Sequence, residues 1–222
     1  PPSTAGQKAG LKVWTGAELG SFLQQSEADG DRDHPLWRLI AATGMRRGEA
    51  LGLRWADVDL GAGTVTVTRT LIIVDHVAQF GQPKTAAGAR TIALDERTTA
   101  ALRSHRARRA AERLSLGQGQ ASSDELAFAD TSGDWLHPEA VSKRFDRRAK
   151  RYGLPHIGVH GLRHTWATLA LRAGVHPRIV QQRLGHSTIA VTLGVYSHVT
   201  DGMDLGAAQQ VAALFEPTVT NL

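Results

Sequence analysis

Apolar residues recur along this 222-residue chain at two spacings, and these divide it into helices and one short β region. Thr15 followed three residues later by Glu18 makes a capping box. It opens a helix whose apolar face is Leu19, Phe22 and Leu23. Gly30-Asp31-Arg32-Asp33 breaks the pattern, Pro35 restarts it with Leu36, Leu39 and Ile40, and Thr43-Gly44 closes it. Residues 45–53 predict a short helix after a glycine turn, ending near Trp55; free backbone amides at such a turn can meet an anion. Residues 64–68 alternate with period two and predict a strand, 71–77 a second and 90–94 a third. The simplest arrangement is a three-stranded antiparallel sheet, with residues 81–88 as a loop carrying Lys84.

The second half reads as helices. Asp95 caps one that runs to about residue 114, and residues 117–123 form a Gly/Gln/Ser loop. Residues 126–128 predict a short extended segment. Pro138 opens a helix with Val141, Phe145 and Ala149 inward, stopped at Gly153. The helix at 160–173 has Leu162, Trp166, Leu169 and Ala170 as its buried stripe. Pro177 begins the next, with Ile179, Val180 and Leu184 inward and Gly185 as its stop. Ser187 caps another that carries Ile189, Leu193 and Tyr196, and 201–215 is a last amphipathic helix. The fold class expected is α+β, mainly α-helical. Residues 1–12 read as the end of a linker with residues missing upstream, 13–200 as the main domain and 201–222 as a helix and tail.

Charge adds a partner to this picture. Lys plus Arg is 26 against 21 Asp plus Glu, a net +5, and the excess gathers on two helices. One carries Arg97, Arg103, Arg106, Arg108, Arg109 and Arg113; the other carries Lys143, Arg144, Arg147, Arg148, Lys150 and Arg151. A solvated basic face is the plain explanation; two in one chain point to a polyanion, with Lys143, Arg144, Arg147 and Arg148 as candidate contacts to DNA phosphates. The chain has no cysteine, which excludes disulfides, thiol catalysis and cysteine metal sites. No apolar run approaches the roughly 20 residues of a membrane span, and the polar start shows no signal peptide.

The candidate chemistry centres on one of only two tyrosines, Tyr196. A phenol with an ordinary pKa near 10 needs cations and a proton acceptor to act as a nucleophile; otherwise it is a half-buried tyrosine with a bonded hydroxyl. Arg46 and Arg163 could each grip two phosphate oxygens, or be surface ion pairs. Fixed guanidiniums stabilise a phosphoryl-transfer transition state more than its ground state. Glu49, three residues after Arg46, could hold that arginine in place. His160 and His186 stand at helix boundaries beside glycines and could accept a proton or donate to a phosphate oxygen, or simply cap and pack. Lys84 could reach a leaving oxygen. Since Arg163→Ala removes charge rather than core, it is expected to fold without cleaving. His156, His160 and His164 are spaced by four, as metal ligands on a helix can be, but Pro155 and Gly158 oppose a helix before His160 and no His-Glu-x-x-His is present. There is no P-loop or dinucleotide fingerprint.

Together these pieces resemble the catalytic domain of the tyrosine recombinases, the phage-integrase family. Thr43-Gly44-Met45-Arg46-Arg47-Gly48-Glu49 is similar to its first arginine box, and His160-Gly161-Leu162-Arg163-His164 to its His-x-x-Arg box. Leu184-Gly185-His186-Ser187 and Val195-Tyr196-Ser197-His198-Val199 are similar to its final histidine and its nucleophile. The likeness runs from Trp14 to Phe215. It implies a catalytic set of Arg46, Lys84, His160, Arg163, His186 and Tyr196, with Glu49 in support and His164 structural. It implies cleavage of double-stranded DNA at attachment sites through a 3′-phosphotyrosine and a free 5′-hydroxyl, with neither metal nor ATP as cofactor. It further implies a monomer when free, a homotetramer on DNA joined through the last helix, no membrane, and a place in the cytoplasm at the nucleoid. An integrase is expected first. A chromosome-dimer or plasmid resolvase has the same boxes, a type IB topoisomerase has similar residues, and an inactive DNA-binding module or a metal-dependent nuclease are the rivals of another class.

Overall fold

A computed structural model describes residues 12–75, 77–82, 88–117, 119, 122–190 and 192. Seven helices are described: α1 (Gly16–Ala28), α2 (His34–Thr43), α3 (Arg47–Leu51), α4 (Glu96–Ser115), α5 (Pro138–Arg151), α6 (Gly158–Arg172) and α7 (Pro177–Leu184). Five strands lie between α3 and α4: β1 (Val58–Asp59), β2 (Thr64–Val67), β3 (Thr70–Val74), β4 (Val77–Gly81) and β5 (Arg90–Ala93). Most helix starts follow the sequence signals; α6 instead begins at Gly158, two residues before the expected His160. Thr15 and Glu18 exchange both capping bonds, and Asp95 accepts from the Thr98 amide at 2.9 Å. Residues 189, 190 and 192 are helical, as expected after Ser187.

The three-stranded antiparallel sheet is present, but its membership differs from the expectation. Its order is β1-β2-β5, so the third strand is Val58–Asp59 and not residues 71–77. Residues 70–74 instead pair with 77–81 as a separate hairpin. The chain is drawn away from β2 at Thr68 and Arg69. The Thr68 hydroxyl donates to Asp57 at 3.0 Å, and Arg69 Nε donates to the Gly52 carbonyl at 2.7 Å. Asp75, at a φ of 47°, begins the reversal. The expected loop at 81–88 therefore starts later than its sequence suggested, and Lys84 lies outside the described residues.

The core is built round a chain of aromatic rings from both ends of the sequence. Trp14, Phe22, Trp37 and Phe145 lie with centroids 5.0–5.5 Å apart. Trp14 also donates its amide to Thr165 Oγ1 at 3.0 Å and its indole N–H to the Pro155 carbonyl at 2.8 Å, so α1, α5 and α6 share one anchor. The inward set of α5 is as expected: Val141, Phe145 and Ala149 are buried. On α6 only Leu162 of the expected stripe is fully buried; Trp166, Leu169 and Ala170 are half-buried, while Val159, Ala167, Thr168 and Leu171 are inside. The reason is that α6 is packed by α2, α5 and α7 together, so no single stripe describes it. Ile179 on α7, expected inward, is 54% exposed, whereas Val180 and Leu184 are buried.

Gly44 is where α2 can stop and α7 can approach. Its φ is 67°, and a Cβ there would stand 2.7 Å from Leu184 Cδ2 and 3.0 Å from the Trp166 ring. No other residue type meets both demands.

His105 on α4 is sandwiched between Trp55 and Phe128, its Nε2 2.8 Å from the Ala127 carbonyl and its Nδ1 3.0 Å from Arg108. Burial drives its pKa down to about 4. The unfolded chain, with an ordinary histidine near 6.5, then binds more protons than the fold between those values, so stability is lost as pH falls from about 6.5 to about 4. The share from a fully buried ring reaches about 3 kcal/mol at the acid end. Urea midpoints should fall through that window, and His105→Gln should flatten the slope; equal slopes in the two proteins would show that His105 is not responsible.

Candidate active site

Arg46 and Glu49 come together because α3 begins directly after the Gly44 turn. Arg46 is the extended residue before α3. Its amide donates to Glu49 Oε2 at 2.8 Å and its Nη1 to Glu49 Oε1 at 2.8 Å. Arg90, the first residue of β5, approaches the same carboxylate from the other side, with Nη1 3.2 Å from Oε1 and Nη2 2.9 Å from Oε2. Burial alone would raise the Glu49 pKa; hydrogen bonds and charge from Arg90, then Arg46, outweigh it and hold the group below its ordinary value. The carboxylate is thus ionised and stitched between two guanidiniums.

Arg163 comes from the second turn of α6 and is buried. Its Nη1 donates to the Gly44 carbonyl at 2.7 Å and its Nη2 to the Leu184 carbonyl at 2.8 Å. These carbonyls close α2 and α7, where the partial negative charge of a helix end favours a cation. Arg46 Nη2 reaches the next carbonyl, Gly185, at 3.5 Å. The C-terminal turn of α7 therefore sits between Arg46 and Arg163. The expectation that Arg163→Ala would leave the fold intact does not survive this geometry, since the guanidinium bridges two helix ends inside the protein.

The histidines gather round the same turn. Gly185, with a φ of 67°, turns the chain so that His186 follows α7 at once. His186 Nδ1 lies 2.9 Å from Thr192 Oγ1, and the His186 carbonyl accepts from Gln181 Nε2 at 3.1 Å. Burial lowers the pKa of His186 to about 4, aided by the charges of Arg163, Arg46 and Arg90. Burial, then Arg163, Arg46 and Arg47, lowers that of His160. His160 meets His164 edge-on, ring centroids 4.6 Å apart. His164, set aside from the sequence as structural, is brought beside the site, and burial followed by His160 and Arg163 lowers its pKa to about 4. At neutral pH the imidazoles are uncharged, able to accept a proton as well as to donate a hydrogen bond. His156, one of the three evenly spaced histidines, turns away to Asp146 at 3.3 Å.

Arg46, Glu49, His160, Arg163 and His186 are thus drawn together from three separate places in the chain: the start of α3, the first turns of α6 and the end of α7. Lys84 and Tyr196 lie outside the described residues, as do residues 193–222, where the last helix was expected. Arg90 was missed in the sequence, where it stood only as the start of a strand; its partner Glu49 is 41 residues away, and no local pattern marks the pair. The basic helices divide. On α4, Arg109 donates to the Asp130 carbonyl and pairs with Glu112, Arg113 pairs with Glu125, and Arg106 stacks on Trp55, so these charges serve the domain itself. On α5, Arg144 pairs with Asp33 and Arg148 with Asp31 and Asp29. Lys143 and Arg147 are exposed, with no ion pair among the described residues.

Comparison with known proteins agrees with this arrangement. The family model described as "Phage integrase family" matches residues 12–203. The chain is 28% identical to a tyrosine recombinase XerC-like protein of Caldanaerobacter subterraneus subsp. tengcongensis, covering 96% of this chain and 58% of that one. It is 30% identical to a putative prophage phiRv2 integrase of Mycobacterium tuberculosis, covering 82% of this chain and 46% of the relative. It therefore spans about half the length of the curated relatives it matches. Among solved structures, the Tn1549 transposon integrase in complex with transposon right end DNA has the same fold, with a TM-score of 0.77 at 24% identity over 93% of this chain and 67% of that one. With the matched model covering nearly all of the sequence and the arginine and histidine boxes meeting in one place, the chain belongs to the phage integrase family.

Proposed function

We propose that this chain is the catalytic part of a site-specific DNA recombinase, an integrase that cuts and rejoins double-stranded DNA through a covalent 3′-phosphotyrosine. The observation that carries this is the meeting of Arg46 and Arg163 at the end of α7, with His160 and His186 beside them. Two fixed guanidiniums and neutral imidazoles form a setting for a phosphodiester whose non-bridging oxygens gain charge during transfer.

In this reading the Tyr196 oxygen attacks the phosphorus, the bond from phosphorus to the 5′ oxygen breaks, and the 3′-phosphate remains on the tyrosine. Arg46, Arg163 and His186 hold the non-bridging oxygens. With Nδ1 accepting from Thr192, His186 would present Nε2–H to the phosphate. His160 takes the phenol proton or orients the phosphate, and Lys84 protonates the departing 5′ oxygen. The diester's energy is kept in the new bond, so the reading needs neither ATP nor metal. A partner strand's 5′-hydroxyl reverses the step. Lys143 and Arg147 on α5 would contact the phosphate backbone, and assembly on DNA would be tetrameric, through residues 201–215.

A nicked suicide substrate carrying the attachment sequence, incubated with chelator, tests the chemistry. Wild type should become attached to the 3′ end and Tyr196→Phe should not; an adduct in that variant would remove Tyr196 from its role. A supercoiled plasmid with and without paired sites separates recombination from simple relaxation.

Arg163→Ala should lose cleavage and also about 2–4 kcal/mol of stability, because two buried carbonyls lose their donor at about 1–2 kcal/mol each. Denaturant unfolding measures this, and an unchanged midpoint would show that the bridge between α2 and α7 is not structural. Lys143→Gln with Arg147→Gln should leave stability unchanged and weaken DNA binding, with a smaller dependence of affinity on salt by about two charges. An unaltered salt dependence would remove these two side chains from the interface.

A further inference from the structure

We propose that Arg90 is a positioning residue of the cleavage reaction. Acting through Glu49, it fixes the Arg46 guanidinium and locks it in register with the turn that carries His186. This rests on the recombinase reading above and adds to it a residue that touches no substrate.

The argument begins with exposure. The side chains of Arg46, Arg90 and Glu49 are 43%, 8% and 4% exposed. One carboxylate thus holds two guanidiniums of which only Arg46 opens outward. An arginine with five donors and a flexible stem has many ways to meet a single carboxylate. Here those ways are restricted because Arg90 contacts both Glu49 oxygens from the strand side, 3.2 Å from Oε1 and 2.9 Å from Oε2. Arg46 is left with one Nη1 bond to Oε1 and a backbone bond to Oε2. The carboxylate cannot rotate without breaking bonds on both sides. Arg46 Nη2 is then directed to the Gly185 side.

Arg90 also reads the position of α7. Its Nε donates to the Arg183 carbonyl at 2.6 Å and its Nη1 to the Gly88 carbonyl at 2.9 Å. One planar group therefore joins β5, the carboxylate behind Arg46 and the last turn of α7, two residues before Gly185 and three before His186. A planar fork with fixed donor directions sets these distances in a way that a point charge does not. Gly88 stands two residues before Arg90, so the same guanidinium also closes the entry to β5. Rates of positioned reactions are sensitive to such alignment, with a misplacement of about 1 Å costing on the order of 100-fold.

The test measures three quantities for wild type, Arg90→Lys, Arg90→Gln, Glu49→Gln and the Arg90→Gln/Glu49→Gln double variant. These are the thermal midpoint, affinity for attachment-site DNA, and the single-turnover rate of adduct formation on the suicide substrate. Arg90→Gln should slow adduct formation by about 100-fold with affinity changed less than about threefold. Arg90→Lys should recover part of that loss by returning a charge to Glu49. The double variant should be no slower than the slower single one, because both changes cut the same link. Should Arg90→Gln fail to fold, the Arg90→Lys rate decides: a loss near tenfold at unchanged affinity supports the role, and a wild-type rate overturns it. A lowered thermal midpoint with wild-type cleavage rates in the Arg90 variants would make Arg90 a purely structural residue and leave the recombinase reading standing. No adduct from wild type would remove that reading and this role with it.

Discussion

The buried carboxylate of Glu49 sets the terms for the rest of the site. An ion out of water costs several kcal/mol unless its lone pairs are satisfied. Glu49 meets that demand with two guanidiniums and a backbone amide. The amide and one guanidinium come from Arg46 at the start of α3 and the other guanidinium from β5, so satisfying the charge also fixes α3, β5 and the Arg46 side chain relative to one another. The two cations exceed the single anion by one charge, and Arg46 is where that excess opens outward. A neutral residue at 49 would remove the cost of burial and the reason for this order at once.

The last turn of α7 is the second constraint, and it uses groups that most helices leave to water. The carbonyls at a helix end have no partner within the helix. Here Arg183, Leu184 and Gly185 give theirs to Arg90, Arg163 and Arg46 in sequence. Three guanidiniums reading three successive carbonyls fix the turn, and His186 follows it. Arg183 holds the same region from its own side, donating to the Ala42 and Ala93 carbonyls with its guanidinium 5.2 Å from the Trp166 ring centroid. The histidines of the site are then uncharged for a physical reason: they are partly desolvated and surrounded by cations, and both effects disfavour a further positive charge.

What could be read in the sequence follows from the range over which each signal acts. Caps and stops are local, so Thr15, Asp95, Pro138, Gly44 and Gly185 showed where helices begin and end. Arg46 and Glu49 are three residues apart, and their pairing was legible for the same reason. Sheet membership was not, because residues 58–59 are too few to carry an alternating pattern, and the pull of Asp57 and Gly52 on Thr68 and Arg69 is a tertiary effect. The stripe on α6 was misjudged because three helices enclose it, and Ile179 because an apolar residue is no guarantee of burial. Arg144 and Arg148 looked like the exposed Lys143 and Arg147 until their acidic partners, more than a hundred residues earlier, were in place. Arg90 had no local side-chain partner, its carboxylate being 41 residues earlier.

The site and the core are joined most directly in α6. Val159 and Leu162 lie in the main core, and Thr165 accepts the amide of Trp14, the ring that links α1, α5 and α6. Between and beside these residues stand His160, Arg163 and His164. A helix turns by about 100° per residue. A slip of one residue in α6 would therefore carry Arg163 off both of its carbonyls and draw Thr165 from Trp14 in the same movement. The two arginines are placed differently in this respect. Arg163 is held by the packing of the whole domain, while Arg46 hangs on the local stitching of Glu49 and Arg90. The part of the site least protected by the core is thus the part with the denser network of charged hydrogen bonds, which is where directional bonds are needed to replace packing as the source of precision.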